Sequence, residues 1–497
     1  MTASITRLRQ AALLPSMALA LLLLVPTLAQ ARGAPDSFAD QAEILLPAVV
    51  NISTTQTVES AAVDMPQFPP GSPFEEFFKQ FRGEQGQEQG QGQGQGRSRQ
   101  ATALGSGFII DSSGYVVTNN HVIAGADQIE VILHDDTRLP AKLIGTDDKT
   151  DIALLKVESD TPLPAVGWGN SDKLRVGDWV LAIGNPFGLG GTVTAGIVSA
   201  RGRNINAGPY DDFIQTDASI NRGNSGGPMF DSEGKVVGVN TAIFSPSGGN
   251  IGIGFAVPSS MAEPVVAQLK ASGHVTRGWL GVSIQTVTEE IAEGLGMAAP
   301  TGALVAQVQP DGPAAKADLK QGDVVLRFDG KKIGEMRDLP RVVAQTEVGR
   351  TVSVDILRGG KERTVSVKVA EMSDPVQVST QSDPAPKPGK DDSDIAGLGM
   401  KVAPLDAAMR EGLGLAADAK GMVIASVDPN GPAAEKGLRQ GDVITEAERH
   451  AVTSAEDLRN AVKSAGKEGR KAVLLLVDRA SQPLFVAIRI DEGKARG

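Results

Sequence analysis

The C-terminal half of this sequence contains an internal duplication, which limits how the chain can fold. The segment Gly312-Pro313-Ala314-Ala315 recurs as Gly431-Pro432-Ala433-Ala434. The same spacing separates Leu319-Lys320-Gln321-Gly322-Asp323-Val324 from Leu438-Arg439-Gln440-Gly441-Asp442-Val443. Stretches that recur in the same order and at the same spacing predict that one domain is built twice.

The duplication and the local composition divide the chain into domains. At 497 residues the chain is too long for a single hydrophobic core. The segment between the two copies is rich in Pro, Asp, Ser and Lys, which is typical of a flexible linker. The predicted divisions are a signal peptide at 1–31, a first domain at 32–260 with a long flexible insertion at 58–100, repeated domains at 274–372 and 394–492, and a linker at 373–393.

The N-terminus has the pattern of an export signal. Arg7 and Arg9 precede an apolar stretch from Ala11 to Val25, and Ala29-Gln30-Ala31 fits the small-residue site where such signals are cleaved. An uncleaved membrane anchor is the alternative, although the apolar stretch is short for one. No later segment is apolar enough to span a bilayer, so we expect an exported protein without a membrane span after signal cleavage.

Charge and composition exclude several classes of function. The net charge of −11 argues against a nucleic-acid partner. Without cysteine there are no disulfides and no thiolate metal sites, and the four scattered histidines form no metal-binding motif. No nucleotide-binding loop is present. We therefore expect no metal, no cofactor and no use of ATP.

The most informative run in the first domain is Asn-Arg-Gly-Asn-Ser-Gly-Gly-Pro-Met at 221–229. Gly223, Gly226 and Gly227 permit backbone angles that other residues resist, so the turn can lift the Ser225 hydroxyl out of the surface. It can also aim the N–H groups of Gly223 and Ser225 at one point, as a developing oxyanion requires. Taken alone, the run is equally compatible with a glycine-rich hairpin that contains an incidental serine.

A serine nucleophile needs a base, and the base needs a carboxylate. Of the four histidines, His121 ends an apolar strand pattern at 115–123, whereas His134, His274 and His450 have no such context. Asp151 opens a buried-type strand at 151–157. The order His, Asp, Ser is that of chymotrypsin, not that of subtilisin or the α/β-hydrolases.

These segments resemble the HtrA/DegP (protease Do) family of trypsin-like serine proteases, from about residue 40 to the C-terminus. Residues 101–260 also alternate short apolar runs with Gly, Asn and Asp turns, which is typical of an all-β sandwich or barrel. The resemblance implies two six-stranded barrels of the trypsin-like fold, followed by two α+β PDZ domains, in the periplasm. The matching stretches are GSGFII at 105–110, TNNHV at 118–122, DIALL at 151–155 and GNSGGP at 223–228.

The resemblance assigns roles to single residues. Ser225 is the expected nucleophile, His121 the general base and Asp151 the residue that orients it, while the N–H groups of Gly223 and Ser225 bind the oxyanion. Asn224 occupies the position where digestive relatives carry an aspartate that pairs with a newly cleaved N-terminus. Activation by such a cleavage is therefore not expected, and ordering by substrate, PDZ ligand or assembly is the better hypothesis.

The same comparison predicts the residue before the cut. Ser219 stands where trypsin carries the acid that selects Lys or Arg. Thr241, Ala242 and Ile243 form the expected pocket wall, which Ile243 narrows, so we expect cleavage after Val, Ala or Ile. Asp217 would favour basic residues if the loop were aligned differently.

The two repeated domains differ in their opening loops and at one later turn. The first opens with Trp279-Leu280-Gly281-Val282, a loop that in PDZ domains captures the C-terminal carboxylate of an added peptide strand. A structural duplication without a ligand is the alternative. The second opens with Leu398-Gly399-Met400 and is expected to lack the Asp329-Gly330 turn of the first, because it has Glu448-Arg449 there, so we expect a groove that is degraded or used for assembly.

The insertion combines two compositions. Its Gln/Gly part is expected to be disordered. The aromatic part before it serves either as a local helix cap or as a segment that docks on a neighbouring subunit, which resembles the regulatory loop of the family. The aromatic residues are Phe68, Phe74, Phe77, Phe78 and Phe81.

The sequence therefore predicts an exported, ATP-independent serine endopeptidase that degrades unfolded or misfolded proteins, which the first PDZ domain captures by exposed or C-terminal segments. The resemblance also implies self-assembly into trimers and larger cages. The alternative is a holdase chaperone or peptide-binding scaffold with minor proteolysis. A purely structural PDZ adaptor is weaker, because all three triad members are present.

Overall fold

The computed structural model describes residues 35–58, 99–185, 191–221, 223–245, 249–372, 392–395, 397–415, 418–480 and 482–490. The predicted signal peptide, the phenylalanine cluster with the Gln/Gly run, and all but the last residues of the predicted linker lie outside the described residues. None of the helices in the described ranges is both long and apolar enough to cross a bilayer.

The first domain begins with a closed antiparallel barrel of six strands in the order β1-β2-β3-β6-β5-β4, where β4 pairs back with β1. A short helix, Ala39–Leu45 (α1), and a 3-10 turn, Leu46–Ala48, precede it. Its β-branched and leucine side chains point inward and are fully buried, among them Ile52, Val116 and Leu155. The strands are Val49–Val58 (β1), Arg99–Asp111 (β2), Tyr115–Thr118 (β3), Gln128–Ile132 (β4), Arg138–Asp147 (β5) and Ile152–Val157 (β6).

A second closed barrel of six strands follows, in the order β10-β11-β12-β9-β8-β7, with β7 pairing to β10. All eight residues of β11 are buried, as expected for a strand that is covered on both faces. The two barrels confirm the predicted trypsin-like fold. The strands are Trp179–Gly184 (β7), Thr192–Arg203 (β8), Phe213–Thr216 (β9), Pro228–Phe230 (β10), Val236–Ile243 (β11) and Gly254–Pro258 (β12).

Two helices border the barrels. Asn120–Ile123 (α2) follows β3 directly, and Ser259–Ser272 (α3) follows β12. Helix α3 buries Val266 and Leu269 in a cluster with residues of both barrels. It ends at Gly273, whose left-handed conformation (φ 79°) lets its N–H bond the carbonyl of Leu269. The helix therefore packs against both barrels and fixes the cleft between them.

The first repeated domain (PDZ1) is a sheet in the order β14-β15-β16-β18-β19, with a small sheet of β13 and β20 beside it. Its strands are Gly278–Trp279 (β13), Val282–Thr286 (β14), Ala303–Val308 (β15), Val324–Phe328 (β16), Lys331–Lys332 (β17), Thr351–Arg358 (β18), Lys361–Lys368 (β19) and Ala370–Glu371 (β20). Its helices are Glu289–Gly294 (α4), Pro313–Lys316 (α5) and Asp338–Ala344 (α6).

The second repeated domain (PDZ2) has the matching order β22-β23-β24-β26-β27, preceded by an extra strand, β21. Its strands are Ser393–Ile395 (β21), Met400–Pro404 (β22), Met422–Val427 (β23), Val443–Ala447 (β24), His450–Ala451 (β25), Ala472–Arg479 (β26) and Gln482–Arg489 (β27). Its helices are Ala407–Gly412 (α7), Pro432–Glu435 (α8) and Ala455–Lys467 (α9). The structure thus confirms that one fold is built twice.

The hairpin turn that distinguishes the two copies in sequence is the same in structure. Glu448 and Arg449 both have positive φ angles (50° and 63°), like Asp329 and Gly330 (51° and 76°). The expectation that the second copy lacks this turn is therefore wrong. Glu448 holds the conformation because its side chain accepts a hydrogen bond from the N–H of Leu474, and its own N–H bonds the Leu474 carbonyl.

PDZ2 packs on the back of the PDZ1 sheet. Leu474, Leu476 and Phe485 of PDZ2 share one buried cluster with Ile291 and Leu295 of PDZ1. The side-chain amide of PDZ1 residue Gln285 bonds both the carbonyl and the N–H of Phe485, at 2.6 and 2.9 Å.

An ion pair with a buried carboxylate lies at the matching place in each PDZ domain. In PDZ1, Arg358 at the end of β18 bonds both oxygens of Asp323 at 2.7 Å. In PDZ2, Arg479 at the end of β26 bonds both oxygens of Asp442 at 2.8 and 2.6 Å. The duplicated aspartate is 1% exposed in both copies, so each carboxylate depends on its arginine for compensation.

Replacing Arg358 with Met should leave the Asp323 carboxylate buried without its partner, at a cost of about 3–5 kcal/mol to PDZ1 stability. Hydrogen–deuterium exchange of β16 and β18 measures this loss within the full chain. Arg350→Met is the matched control, because its pair with Asp329 is largely exposed and is worth less than about 1 kcal/mol. Equal exchange in the two variants would contradict a structural role for the buried pair.

Candidate active site

His121 and Asp151 are brought together by neighbouring strands. His121 lies in α2 directly after β3, and Asp151 directly precedes β6, which pairs antiparallel with β3. One carboxylate oxygen of Asp151 lies 2.7 Å from Nδ1 of His121, and the other accepts the His121 backbone N–H at 2.9 Å. The carboxylate thus contacts the histidine at two points and fixes both its backbone and its ring.

The backbone of Asp151 is itself in a sparsely populated conformation, with φ at 57°. Its carbonyl accepts hydrogen bonds from the N–H of Asn120 at 3.1 Å and from the side chain of Asn119 at 2.8 Å. Aspartate tolerates the left-handed region better than most residues. These hydrogen bonds to the Asp151 backbone therefore hold its carboxylate next to Nδ1 of His121.

The turn around Ser225 has the glycine conformations that its sequence predicts at two positions. Gly223 and Gly226 have φ angles of 93° and 84°. Gly227 is required for a different reason, because a Cβ atom there would lie 2.4 Å from the carbonyl oxygen of Ile183. At Gly226 both restraints act, since a Cβ atom would also lie 2.2 Å from the carbonyl oxygen of Ser106.

The expectation that this turn lifts the serine hydroxyl out of the surface is wrong. Ser225 is 1% exposed, and its hydroxyl lies 3.3 Å from the carbonyl oxygen of Thr241. The first barrel covers the turn, because Gly226 packs against Ser106 and Thr118, the last residue of β3. The serine turn is therefore clamped to the end of the strand that leads into His121.

The backbone N–H groups of the serine turn differ in whether they have a backbone acceptor. The N–H groups of Asn224, Gly226 and Gly227 donate to backbone carbonyls at 2.8–3.0 Å. Within the part of the chain that the structure describes, Gly223 and Ser225 have no such acceptor. These are the two donors that the sequence assigns to an oxyanion.

The predicted pocket residues fall into two groups. Thr241 and Ala242 line a small cavity of about 60 Å³ together with His121 and Asp151. Ser219 and Ile243 do not line this cavity: Ser219 is exposed, and Ile243 is 1% exposed within the barrel core. Asn224 is also 1% exposed, and its side chain packs against the backbone of Gly184.

Sequence reasoning missed two residues that position the site. Asn119 donates to the Asp151 carbonyl in the first barrel and to the Thr241 hydroxyl of the second, at 2.8 and 3.1 Å. Ser106 bonds the carbonyls on both sides of Asn224, through its hydroxyl to Gly223 at 2.5 Å and through its N–H to Ser225 at 2.9 Å. Both residues lie inside the stretches that carry the family resemblance, which was the only signal for them.

The last residue of β5, just before the loop that carries Asp151, bonds the start of PDZ1. Arg277, just before β13, makes two hydrogen bonds to the buried carboxylate of Asp147, at 2.9 and 2.5 Å. The hydroxyl of Thr150 donates to the same carboxylate. Arg277 also lies over the ring of Tyr210, with 5.0 Å from its guanidinium carbon to the ring centre. PDZ1 is therefore bonded to the segment that leads to Asp151.

A second contact between the domains lies close by. Arg341 of helix α6 pairs with Asp212 of the first domain at 3.0 Å. Burial raises the pKa of the Asp212 carboxyl above its ordinary value, and the charge of Arg341 opposes that rise. Asp212 lines the cavity beside His121, so this ion pair connects α6 with the same region.

The loop that opens PDZ1 is where the sequence predicts it. Gly281 has a positive φ of 75° and accepts the N–H of Gln309 at 2.8 Å, while Leu280 is buried in the domain core. Trp279 and Val282 are partly buried on either side. The four residues therefore form one fixed turn at the start of β14.

Two known domain families match the chain. Residues 105–239 match the trypsin-like peptidase domain, and residues 278–369 and 396–489 each match the PDZ domain. The matched ranges include the serine turn and coincide with the two repeated domains of the structure.

Known proteins match most of the chain. A protein of Brucella suis biovar 1 (strain 1330), named probable periplasmic serine endoprotease DegP-like, is 45% identical over 473 residues, which cover 92% of this chain and 90% of that protein. A protein of the same name from Pseudomonas fulva (strain 12-X) is 46% identical over 466 residues, covering 92% and 94%. The solved structure of the HtrA-type protease AlgW with decapeptide is 42% identical, with a TM-score of 0.55, and covers 68% of this chain and 100% of its own.

Proposed function

The chain belongs to the HtrA/DegP family of serine endoproteases, and from that premise we propose that Ser225, His121 and Asp151 are its catalytic triad. The observation that carries the proposal is the two-point contact between the Asp151 carboxylate and His121. A histidine held in this way keeps one tautomer and one orientation, which is what a general base for serine requires.

The direction of proton transfer follows from the hydrogen bonds that His121 and Ser225 already make. Because Nδ1 of His121 is held by Asp151, the serine proton passes to Nε2 as Ser225 attacks the carbonyl carbon of the cut peptide bond. The hydroxyl must release the Thr241 carbonyl for this step. His121 then gives the proton to the leaving amine, and water repeats the cycle on the acyl-enzyme.

The N–H groups of Gly223 and Ser225 supply the oxyanion site in this proposal. Losing one such donor raises the barrier by about 3 kcal/mol, so the geometry of the turn matters as much as the triad. Asn224 is buried and carries no charge, which supports activation by the ordering of loops around the turn without a cleaved N-terminus.

We propose that the substrates are unfolded or misfolded polypeptides in the periplasm. The relatives are named periplasmic, and residues 1–31 have the pattern of an export signal. Trp279, Leu280, Gly281 and Val282 would hold the C-terminal carboxylate of a substrate segment that adds to β14. Assembly into trimers or larger cages is part of the proposal and rests on the family resemblance.

Digestion of casein by the wild type and by Ser225→Ala tests this function. The wild type should degrade casein without ATP, and Ser225→Ala should lose about 10⁶-fold in rate, since the nucleophile is removed. Light scattering of an aggregating client and a sizing column are run beside the digest. Unchanged digestion by Ser225→Ala would end the proposal, and undetectable proteolysis by the wild type with full suppression of aggregation would favour the holdase alternative.

We also propose that cleavage follows Val, Ala or Ile. The exposed Asp217 carboxylate accepts the backbone N–H of Ile197 in β8 at 2.7 Å, which turns it toward that strand. Ile220, 1% exposed, fills the space above Gly254, where a Cβ atom would lie 2.8 Å from its Cδ1. Because Ser219 is also neutral, these groups favour a short aliphatic side chain over a long basic one.

Mass spectrometry of the casein fragments reads the residue before each cut. Most cuts should follow Val, Ala or Ile, because the pocket offers no acid to a basic side chain. Ser219→Asp is the matched variant, since it places an acid where trypsin has one, and it should raise the share of cuts after Lys and Arg. A majority of cuts after Lys or Arg in the wild type would refute the assignment of this pocket.

A further inference from the structure

The PDZ1 groove is open along its strand. β14 is the outer strand of the PDZ1 sheet and pairs with β15 along one edge, and no described residue pairs with its other edge. Helix α6 packs on the same core through Leu339 and Val343. An extended peptide binds a PDZ domain by adding to such an edge beside the helix.

In PDZ2 the corresponding edge is already paired. β22 is the counterpart of β14, and its outer edge forms an antiparallel ladder with β21. In this ladder Ser393 lies opposite Val402, Asp394 opposite Lys401, and Ile395 opposite Met400. Ligand peptides also run antiparallel to this strand, so β21 has the direction of a bound peptide.

The side chains of β21 reach the groove as a ligand would. Ile395 is completely buried, in one cluster with Leu458 and Val462 of helix α9. The guanidinium of Arg459, also on α9, donates to the carbonyl of Asp394 at 3.3 Å. β21 therefore lies between β22 and α9, in the place of an added peptide.

The chain then turns directly into the loop that would bind a carboxylate. Gly399 in this loop has a positive φ of 68° and accepts the N–H of Asp428, as Gly281 does with Gln309 in PDZ1. Ile395 pairs with Met400, the first residue of β22, and so occupies the position of a ligand's last residue.

The two copies differ because the residues before their loops have different partners. In PDZ1 this segment is held on the protease domain, through Arg277 to Asp147 and through Thr276 to Gln268. It cannot fold back on β14 without breaking a buried ion pair. In PDZ2 the segment follows the linker and folds back on its own sheet.

We propose that Ser393–Ile395 is a built-in ligand of PDZ2, which closes its groove and restricts the capture of external C-terminal peptides to PDZ1. The inference rests on the proposed function for the role of the PDZ1 groove. An intramolecular strand competes at an effective concentration on the order of millimolar. An external peptide must therefore compete with this strand in PDZ2, whereas it meets an open edge in PDZ1.

Isothermal titration calorimetry of the full chain measures how many peptides bind per chain, and so how many PDZ grooves are open. The protein is Ser225→Ala, so that peptides are not cut, and the probes are extended peptides ending in Val or Phe with a free carboxylate. One site per chain is expected. Adding Ile395→Asp should give two sites, because a charged side chain is expelled from the buried cluster. Leu143→Asp, on the exposed side of β5, is the matched control and should keep one site.

Two sites in the parent protein would overturn the inference, and so would one site in the Ile395→Asp variant with α9 still protected from hydrogen exchange.

If the Ile395→Asp variant unfolds, a disulfide between β21 and β22 tests the inference instead. The chain has no cysteine, and Asp394 and Lys401 are exposed and directly opposite. Asp394→Cys with Lys401→Cys should form a disulfide on mild oxidation and keep one site, and failure to form it would overturn the inference. No binding by any protein would instead contradict the proposed capture by PDZ1.

Discussion

The contact between Asp151 and His121 is the interaction on which the rest of the structure depends. A serine hydroxyl is inert at neutral pH unless a correctly oriented imidazole removes its proton. The fold supplies the orientation through a neighbouring pair of strands, β3 and β6, which place the end of one beside the start of the other. The positive φ of Asp151 then turns its carboxylate so that it reaches the backbone and the ring of His121 together.

The proposed nucleophile, Ser225, comes from the other barrel, so the site also depends on how the barrels meet. Ser106 and Asn119 of the first barrel bond the serine turn and Thr241 of the second, and Gly226 leaves no room between them. Asp147, the last residue before the loop that ends at Asp151, bonds Arg277 of PDZ1. If PDZ1 captures peptides as proposed, a displacement of this domain would act on a loop next to the proposed triad.

The sequence predicted the features that short local patterns carry. The glycine turn, the strand that leads to His121, the order of the triad and the duplication are all visible within a few residues, and the structure has the barrels and PDZ domains they imply. It did not predict that Ser225 is buried, nor the hydrogen bonds of Ser106, because these depend on contacts between distant segments. The prediction that Glu448 and Arg449 cannot form the turn was wrong, because non-glycine residues adopt the same turn when side-chain hydrogen bonds stabilise it. The pairing of β21 with β22 could not be predicted from the sequence, because nothing in Ser393–Ile395 itself specifies its partner strand.

The most direct test of the central claim is the rate of peptide hydrolysis by Asp151→Asn. The amide keeps the size of the side chain but cannot hold the histidine in the required tautomer, so kcat should fall by about 10⁴-fold with little change in KM. Asp148→Asn, an exposed neighbour in the same loop, should retain the wild-type rate. A kcat of Asp151→Asn within a few-fold of the wild type would show that this carboxylate does not orient the base, and would contradict the account.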